Sequence, residues 1–274
     1  MPRHTQYEIA IIGSGNAAEG IVHGLLRRSV LLEDRIIATD PSESRRRLFQ
    51  ERFRVETTDD NRRAVEESFI LLLAVKPQVF REVLAGFADL IRDDHVIVSI
   101  MAGVSTKTLE EAIGRERPRV VRAMPNLPAH VGAGMTGIFP GRYATESDLL
   151  RAQRIFEAGG RAIVVEDESQ MDAVTAVSGT GPAYFYYFVE AIIAAGVKAG
   201  LSHAEATLLA TQTCLGAARM MIESGEPPAS LRQKVTSPNG TTQAAIACMD
   251  AADIPRLLEE GVLAAWRRSQ ELGR

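Results

Sequence analysis

The chain has only two cysteines in 274 residues, Cys214 and Cys248. Both fall in helix-like apolar stretches, so a disulfide framework is excluded and both are read as buried free thiols of a reducing compartment. No Cys or His stands at ligand spacing to another, so no metal site is expected. Aromatic residues make up 5 %, with one Trp, and no basic patch interleaves with them. Nucleic acid is therefore not an expected partner. Basic charge does not dominate either: 31 Lys and Arg stand against 35 Asp and Glu, for a net charge of −4. Long apolar runs are missing too. Phe69–Val75 and Ala191–Val197 fall well short of the roughly 20 residues that span a bilayer. The first residues, Met1-Pro2-Arg3-His4, lack the apolar core of a secretory signal. The expectation is a cytoplasmic protein with no membrane partner. What is plentiful is aliphatic surface: 46 % of residues are hydrophobic, enough for a substantial core in one or two domains.

Near the N-terminus Glu8-Ile9-Ala10-Ile11-Ile12 reads as a short strand. It runs into Gly13-Ser14-Gly15-Asn16-Ala17-Ala18 and a helix to about Arg28. In this strand–turn–helix setting Gly-x-Gly-x-x-Ala is a dinucleotide fingerprint. The first Gly makes the turn, the second lets the backbone approach a pyrophosphate, and the small Ala18 lets helix and strand pack closely. The helix N-terminus adds free N–H groups and a favourable dipole. A structural turn is the competing reading, since a bare Gly-x-Gly is weak. Arg35–Thr39 is a second strand ending at Asp40, where an acid about 20 residues past the glycines bonds the adenosine ribose. Asp40 also suits the turn Asp-Pro-Ser and the next helix cap, and both uses are compatible. Arg45, Arg46 and Arg47 follow, as a solvated face or as a clamp for a 2′-phosphate.

Val55 begins a short strand and Asn61 opens a helix through Glu67. Phe69–Val75 is apolar without alternation, as in a central parallel strand covered on both faces. It ends in Lys76-Pro77, at the sheet edge where a cofactor belongs. Helix Val79–Ile91, strand Val96–Ile100, the turn Met101-Ala102-Gly103, helix Ser105–Ile113 and strand Arg119–Ala123 follow. Two prolines fix the loop Met124-Pro125-Asn126-Leu127-Pro128; strands Ala133–Phe139 and Ala162–Glu166 then flank helix Glu146–Glu157. This alternation predicts an α/β fold: an N-terminal Rossmann-type doubly wound sheet, residues 1–166.

No strand is expected past Asp167. Helices are predicted at Gln170–Val177, Ala183–Ala199, His203–Ser224, Pro228–Lys234, Gln243–Ala251 and Pro255–Leu272, so residues 167–274 form an all-α domain. Ala183–Ala199 is apolar around most of its circumference and must be buried on all sides, which points to a subunit interface. Before it, Ser178-Gly179-Thr180-Gly181-Pro182 is a polar Gly-rich turn with Pro182 suited to the first helical position. A second such turn is Val235-Thr236-Ser237-Pro238-Asn239-Gly240-Thr241-Thr242. Asn239 and Gly240 accept positive φ, so a tight reversal is expected there. Consecutive amides in a reversal can form an anion-binding concavity. Gly240 admits close approach, and Ser237, Thr241 and Thr242 add hydroxyls. The loop reads as a cradle for a small carboxylate or phosphate, or as a turn that caps the next helix.

The Gly-x-Gly-Asn fingerprint, Ala-Val-Lys-Pro at 74–77, Met-Pro-Asn-x-Pro at 124–128, Ser-Gly-x-Gly-Pro-Ala-Tyr at 178–184 and Val-x-Ser-Pro-x-Gly-Thr-Thr at 235–242 together resemble the pyrroline-5-carboxylate reductase family. The resemblance spans nearly the whole chain in order, and its last two motifs are specific. It implies reduction of 1-pyrroline-5-carboxylate to L-proline with NADPH or NADH, the last step of proline biosynthesis. It also implies a homodimer with interlocked helical domains, often a homodecamer of five dimers. By the same resemblance Ser237 and the amides of Gly240 and Thr241 hold the substrate carboxylate, Thr242 meets the imine nitrogen, and Glu168 contacts substrate. Cofactor contacts fall at Gly13, Ser14, Gly15, Asn16, Ala17, Ala18, Thr39, Asp40, Asn61, Ala74, Val75, Lys76, Pro77 and Ala102. Three positions depart from the family pattern: Asn239 for Gly, Ala17 for Met, and Thr39-Asp40-Pro41 for a stretch that often reads Ser-Asn-Arg, which leaves cofactor preference open. Two alternatives remain. A β-hydroxyacid dehydrogenase wants a Lys one turn into the helix after the Gly-rich turn, and Tyr184–Glu190 has none. A non-catalytic dinucleotide sensor has no need of the 235–242 loop.

Overall fold

A computed structural model describes residues 5–273; Met1–His4, read above for a signal sequence, lie outside the described residues. The chain divides into two compact units, one running to Thr180 and including the segment from Ala265 onward, the other spanning Gly181–Ala264. Among the described residues no helix is long and apolar enough to cross a membrane.

The first unit holds an eight-stranded sheet, order β3-β2-β1-β4-β5-β6-β7-β8. Its strands are β1 Tyr7–Ile12, β2 Ile36–Thr39, β3 Glu56–Thr58, β4 Ser68–Leu73, β5 Val96–Ser99, β6 Arg119–Met124, β7 Gly134–Pro140 and β8 Gly160–Val164. The helices are α1 Asn16–Arg27, α2 Glu43–Phe53, α3 Asn61–Glu66, α4 Phe80–Ala85, α5 Thr106–Ile113, α6 Glu146–Glu157 and α7 Gln170–Val174. Strands β1 to β6 are parallel. Their unbroken apolar runs follow from burial on both faces. Ile9, Ile11, Ile70, Leu72, Val96 and Val98 enter one core; Ala10, Ile12, Leu71, Leu73 and Ile97 enter the other.

Local chemistry sets the helix starts. Thr145 and Asp148 form a reciprocal capping box at α6, and Asp60 and Ser105 cap α3 and α5. One feature the sequence reading left open and one departure from it have physical causes. Strand β7 runs antiparallel to β6, because only the short 3₁₀ turn Leu127–Val131 joins them and a parallel return needs a crossover. The helix expected over Val79–Ile91 stops at Ala85, where Gly86 caps it and Phe87 leaves helical geometry to bury its ring.

His95, fully buried beside β5, gives the unit a pH dependence. Its Nδ1 accepts from the Arg92 amide at 3.0 Å, so Nε2 carries the proton and faces the Ser68 carbonyl at 3.2 Å. Burial, then the Arg92 charge, pushes its pKa down to about 4. Folding therefore favours neutral imidazole. The contribution is complete above the unfolded value near 6.5 and is lost as pH falls from there toward about 4. We expect thermal melts between pH 7 and 4.5 to show an acid loss of roughly 2–3 kcal/mol in the parent that His95→Asn lacks. Equal slopes in both proteins would reject this account.

The second unit is helical: α8 Gly181–Lys198, α9 His203–Ser224, α10 Pro228–Lys234, α11 Thr241–Ala251 and the first part of α12, Ile254–Leu272. A Ser202–Glu205 capping box starts α9. Large apolar side chains on α8 and α9 lie open, among them Phe185, Tyr187, Ile192, Leu208 and Leu209. A groove of about 360 Å³ between these helices is lined by residues such as Phe188, Val189 and Cys214. Both cysteines are free, but in the single chain Cys248 is exposed and Cys214 only partly buried, so the expected burial is not met within one chain.

Candidate active site

In the first unit the C-terminal ends of β1, β2, β4 and β5 share one sheet edge. The β1 ladder changes direction there, with β2 on one side and β4 on the other. Gly13 leaves β1 with φ +98°, its amide bonded to the Thr39 carbonyl at 3.0 Å. The Ala74 amide bonds the Ile12 carbonyl at 2.9 Å, which draws the Ala74–Pro77 segment to the same edge. A Cβ on Gly13 would lie 2.9 Å from the Ala74 carbonyl oxygen; one on Gly15 would meet nothing within 4 Å. The first glycine is thus demanded by the protein itself. The second leaves a clear approach at the N-terminus of α1, which no side chain caps. That is the fit a pyrophosphate needs.

Side chains brace this loop. Ser14 Oγ donates to the Thr39 carbonyl at 3.0 Å, and the Ser14 amide donates to Asp40 Oδ2 at 2.9 Å. Thr39 Oγ1 donates to Asn61 Oδ1 at 2.6 Å. Lys76 is exposed and opens a 3₁₀ turn at Pro77; Ala102 lies in the turn after β5. The structure therefore brings the fourteen cofactor candidates named from sequence to one edge.

The Val235–Thr242 loop lies in the second unit. Asn239 takes the expected left-handed conformation, φ 57°, while Gly240 does not. The Gly240 amide donates to the Ser237 carbonyl at 3.1 Å, and the Asn239 amide to Gln243 Oε1 at 2.6 Å. The open donors are therefore at the start of α11, which no side chain caps, at Thr241 and Thr242. Ser237 Oγ overhangs Gly240, where a Cβ would lie only 2.4 Å from it. A small concave donor surface results, with the α11 dipole behind it.

Glu168 is placed differently from the other candidates. Its Oε1 accepts from the Thr106 amide at 2.7 Å and from Arg122 at 3.1 Å; its Oε2 accepts from Thr106 Oγ1 at 2.8 Å. The carboxylate joins β6 to the first turn of α5, and its charge, after burial, helps raise the Glu110 pKa.

Comparison with known proteins places the chain in a family. A family model described as pyrroline-5-carboxylate reductase dimerisation matches residues 168–272, and one described as NADP oxidoreductase coenzyme F420-dependent matches residues 8–103. The chain is 43 % identical to a pyrroline-5-carboxylate reductase of Synechocystis over 97 % of this chain and 98 % of that one. It belongs to the pyrroline-5-carboxylate reductase family. A solved family structure from Coxiella burnetii superposes with a TM-score of 0.91 at 37 % identity, over 98 % of this chain and 99 % of that one. A Plasmodium falciparum pyrroline carboxylate reductase with NADP bound superposes at 0.89 with 27 % identity, over 98 % and 99 % of the two chains.

Within this reductase framework two residues gain roles that sequence reading left undefined. Asn126 Nδ2 donates to the Ser178 carbonyl at 3.1 Å and faces its hydroxyl at 3.2 Å, while Oδ1 accepts from the Met135 amide at 2.9 Å. It ties the Met-Pro-Asn-x-Pro loop to the Ser-Gly-x-Gly turn, which forms a π-helical turn over Thr175–Gly179. The signal was an Asn bracketed by two prolines. Arg45, read as solvated or phosphate-binding, donates through Nε to the Ser14 carbonyl at 2.6 Å and pairs with Glu19 at 3.0 Å.

Proposed function

We infer that this chain reduces 1-pyrroline-5-carboxylate to L-proline with NADPH or NADH, the last step of proline biosynthesis. Full-length similarity to curated reductases, with the fingerprint edge and the 235–242 loop both retained, carries the reading. Residues 1–166 are assigned to dinucleotide binding and 167–274 to dimerisation and substrate binding. The fourteen residues of the sheet edge, Gly13 to Ala102, hold the cofactor, which supplies a hydride when bound. Ser237 Oγ and the amides opening α11 at Thr241 and Thr242 bind the substrate carboxylate. Gly240 contributes by its missing Cβ. Thr242 Oγ1 is assigned to the imine nitrogen. A protonated imine is already electrophilic, so the protein's task is orientation and a hydrogen bond at nitrogen rather than strong base catalysis. Glu168, its carboxylate already bonded to Thr106 and Arg122, is assigned to the fold rather than to substrate.

The open apolar faces of α8 and α9 support a homodimer through the helical unit, since patches of this kind on a lone chain mark an interface. Assembly of five dimers and a cytoplasmic location complete the proposal. The test is turnover of purified protein with pyrroline-5-carboxylate and each reduced cofactor. Cofactor binding without turnover would favour the sensor reading, and oxidation of β-hydroxyacids the dehydrogenase reading. In the same assay Thr242→Ala is expected to lower kcat ten- to a hundredfold, about 1–3 kcal/mol for one hydrogen bond, with cofactor Kd unchanged. A folded Thr242→Ala enzyme with parental kcat removes Thr242 from the mechanism.

A further inference from the structure

We propose that Asp40 makes this reductase select the unphosphorylated adenosine ribose, so that the NAD form of the cofactor is bound in preference to the NADP form. The proposal rests on the cofactor-binding reading of the β1–β2 edge. Asp40 stands at the end of β2 with its carboxylate fixed at both oxygens. Oδ2 accepts from the Ser14 amide and Oδ1 from the Ser42 amide, each at 2.9 Å. Each oxygen keeps a further lone pair. A ribose diol offers two donors to such an acceptor. A 2′-phosphate offers negative charge against it instead.

The groups that could welcome a phosphate are committed elsewhere. The Ser42 amide, at the N-terminus of α2, already faces the Asp40 carboxylate, so the protein's own anion takes the favourable helix end. Arg45 bonds the Ser14 carbonyl and Glu19. Arg46 donates to the Asp40 carbonyl at 2.6 Å and the Pro41 carbonyl at 3.0 Å, with Asp59 3.9 Å away. Arg47 pairs with Glu43 at 2.8 Å on the exposed face of α2. The Thr39 hydroxyl is given to Asn61. Each arginine of the clamp that Arg45, Arg46 and Arg47 suggest in sequence thus pairs within the protein, as does the Thr39 hydroxyl, and the Asp40 carboxylate remains as the acceptor.

The test is calorimetric titration of the purified protein with NAD⁺ and NADP⁺, without substrate, so that binding is read apart from turnover. The expected result is NAD⁺ binding at least tenfold tighter than NADP⁺ in the parent. In Asp40→Ser the ratio should fall to parity or reverse. Asp40→Asn, which keeps an acceptor for the Ser14 amide but loses the charge, should narrow it through stronger NADP⁺ binding. NADP⁺ bound as tightly as NAD⁺ by the parent overturns the proposal and leaves the reductase reading standing. A ratio unmoved in both folded variants overturns it also. If the parent binds neither nucleotide, the cofactor-binding reading falls, and the proposal with it.

Discussion

Gly13→Ala and Gly15→Ala are expected to fail in different ways, although the two glycines belong to one fingerprint. At Gly13 a side chain meets φ +98° and a Cβ 2.9 Å from the Ala74 carbonyl oxygen and 3.0 Å from Val75 Cγ1. The Ala74 backbone is held by the Ile12 carbonyl, so it cannot withdraw without opening the β1–β4 ladder. Left-handed strain and overpacking together cost about 3–5 kcal/mol. For a domain of this size that is a fall of roughly 10 °C in Tm. At Gly15 the backbone is extended and a Cβ has open space, so the melting temperature should match the parent. The added methyl instead occupies the approach to the α1 N-terminus, and cofactor affinity should fall tenfold or more. Melting curves with and without cofactor, plus titration of each variant, separate the two. A Gly15→Ala protein that binds NAD⁺ and NADP⁺ as the parent does would show that the pyrophosphate does not pass there. A Gly13→Ala protein with the parent's Tm would show that the turn yields.

That contrast also shows what a sequence can and cannot carry. The fingerprint, the unbroken apolar strands and the Asn239 reversal were legible because each is written in consecutive residues with a local steric meaning. Strand direction is not written that way. The pattern of Ala133–Phe139 is the same whichever way β7 runs, and only the shortness of the Leu127–Val131 connection settles it. The break at Gly86 was masked because Val83, Leu84, Phe87 and Ile91 keep an apolar spacing that a continuous helix would also show. The braces of the site were hidden for a third reason. Arg45 to Ser14, Asn126 to Ser178 and Glu168 to Arg122 join residues 31, 52 and 46 positions apart, and a single polar residue leaves no periodic trace of a distant partner. Resemblance therefore gave Glu168 to the substrate, with no sign in the sequence that its two oxygens accept from Thr106 and Arg122.

Glu168→Ala decides between these two assignments, and it is expected to damage stability far more than substrate binding. Arg122 is buried, with 7 % of its side chain exposed, and Glu168 is its ion-pair partner at 3.1 Å. Removing the carboxylate leaves a buried guanidinium uncompensated and takes away the acceptor for the Thr106 amide at the start of α5. Breaking one side of a buried pair costs about 3–5 kcal/mol, far above the value of an exposed pair. The Tm of Glu168→Ala should therefore fall by roughly 10 °C. The remaining folded enzyme should keep the parent's KM for pyrroline-5-carboxylate. Glu168→Gln keeps one carbonyl acceptor and should lose less. Because the penalty lies mainly in the stranded charge, Arg122→Leu in the Glu168→Ala background should recover part of the loss, and the double-mutant cycle should show coupling of at least about 1 kcal/mol. A substrate ligand behaves in the opposite way: Tm holds, KM rises several-fold, and Arg122→Leu brings no recovery. That second pattern would return Glu168 to the substrate site and leave the Thr106–Arg122 tie without energetic weight.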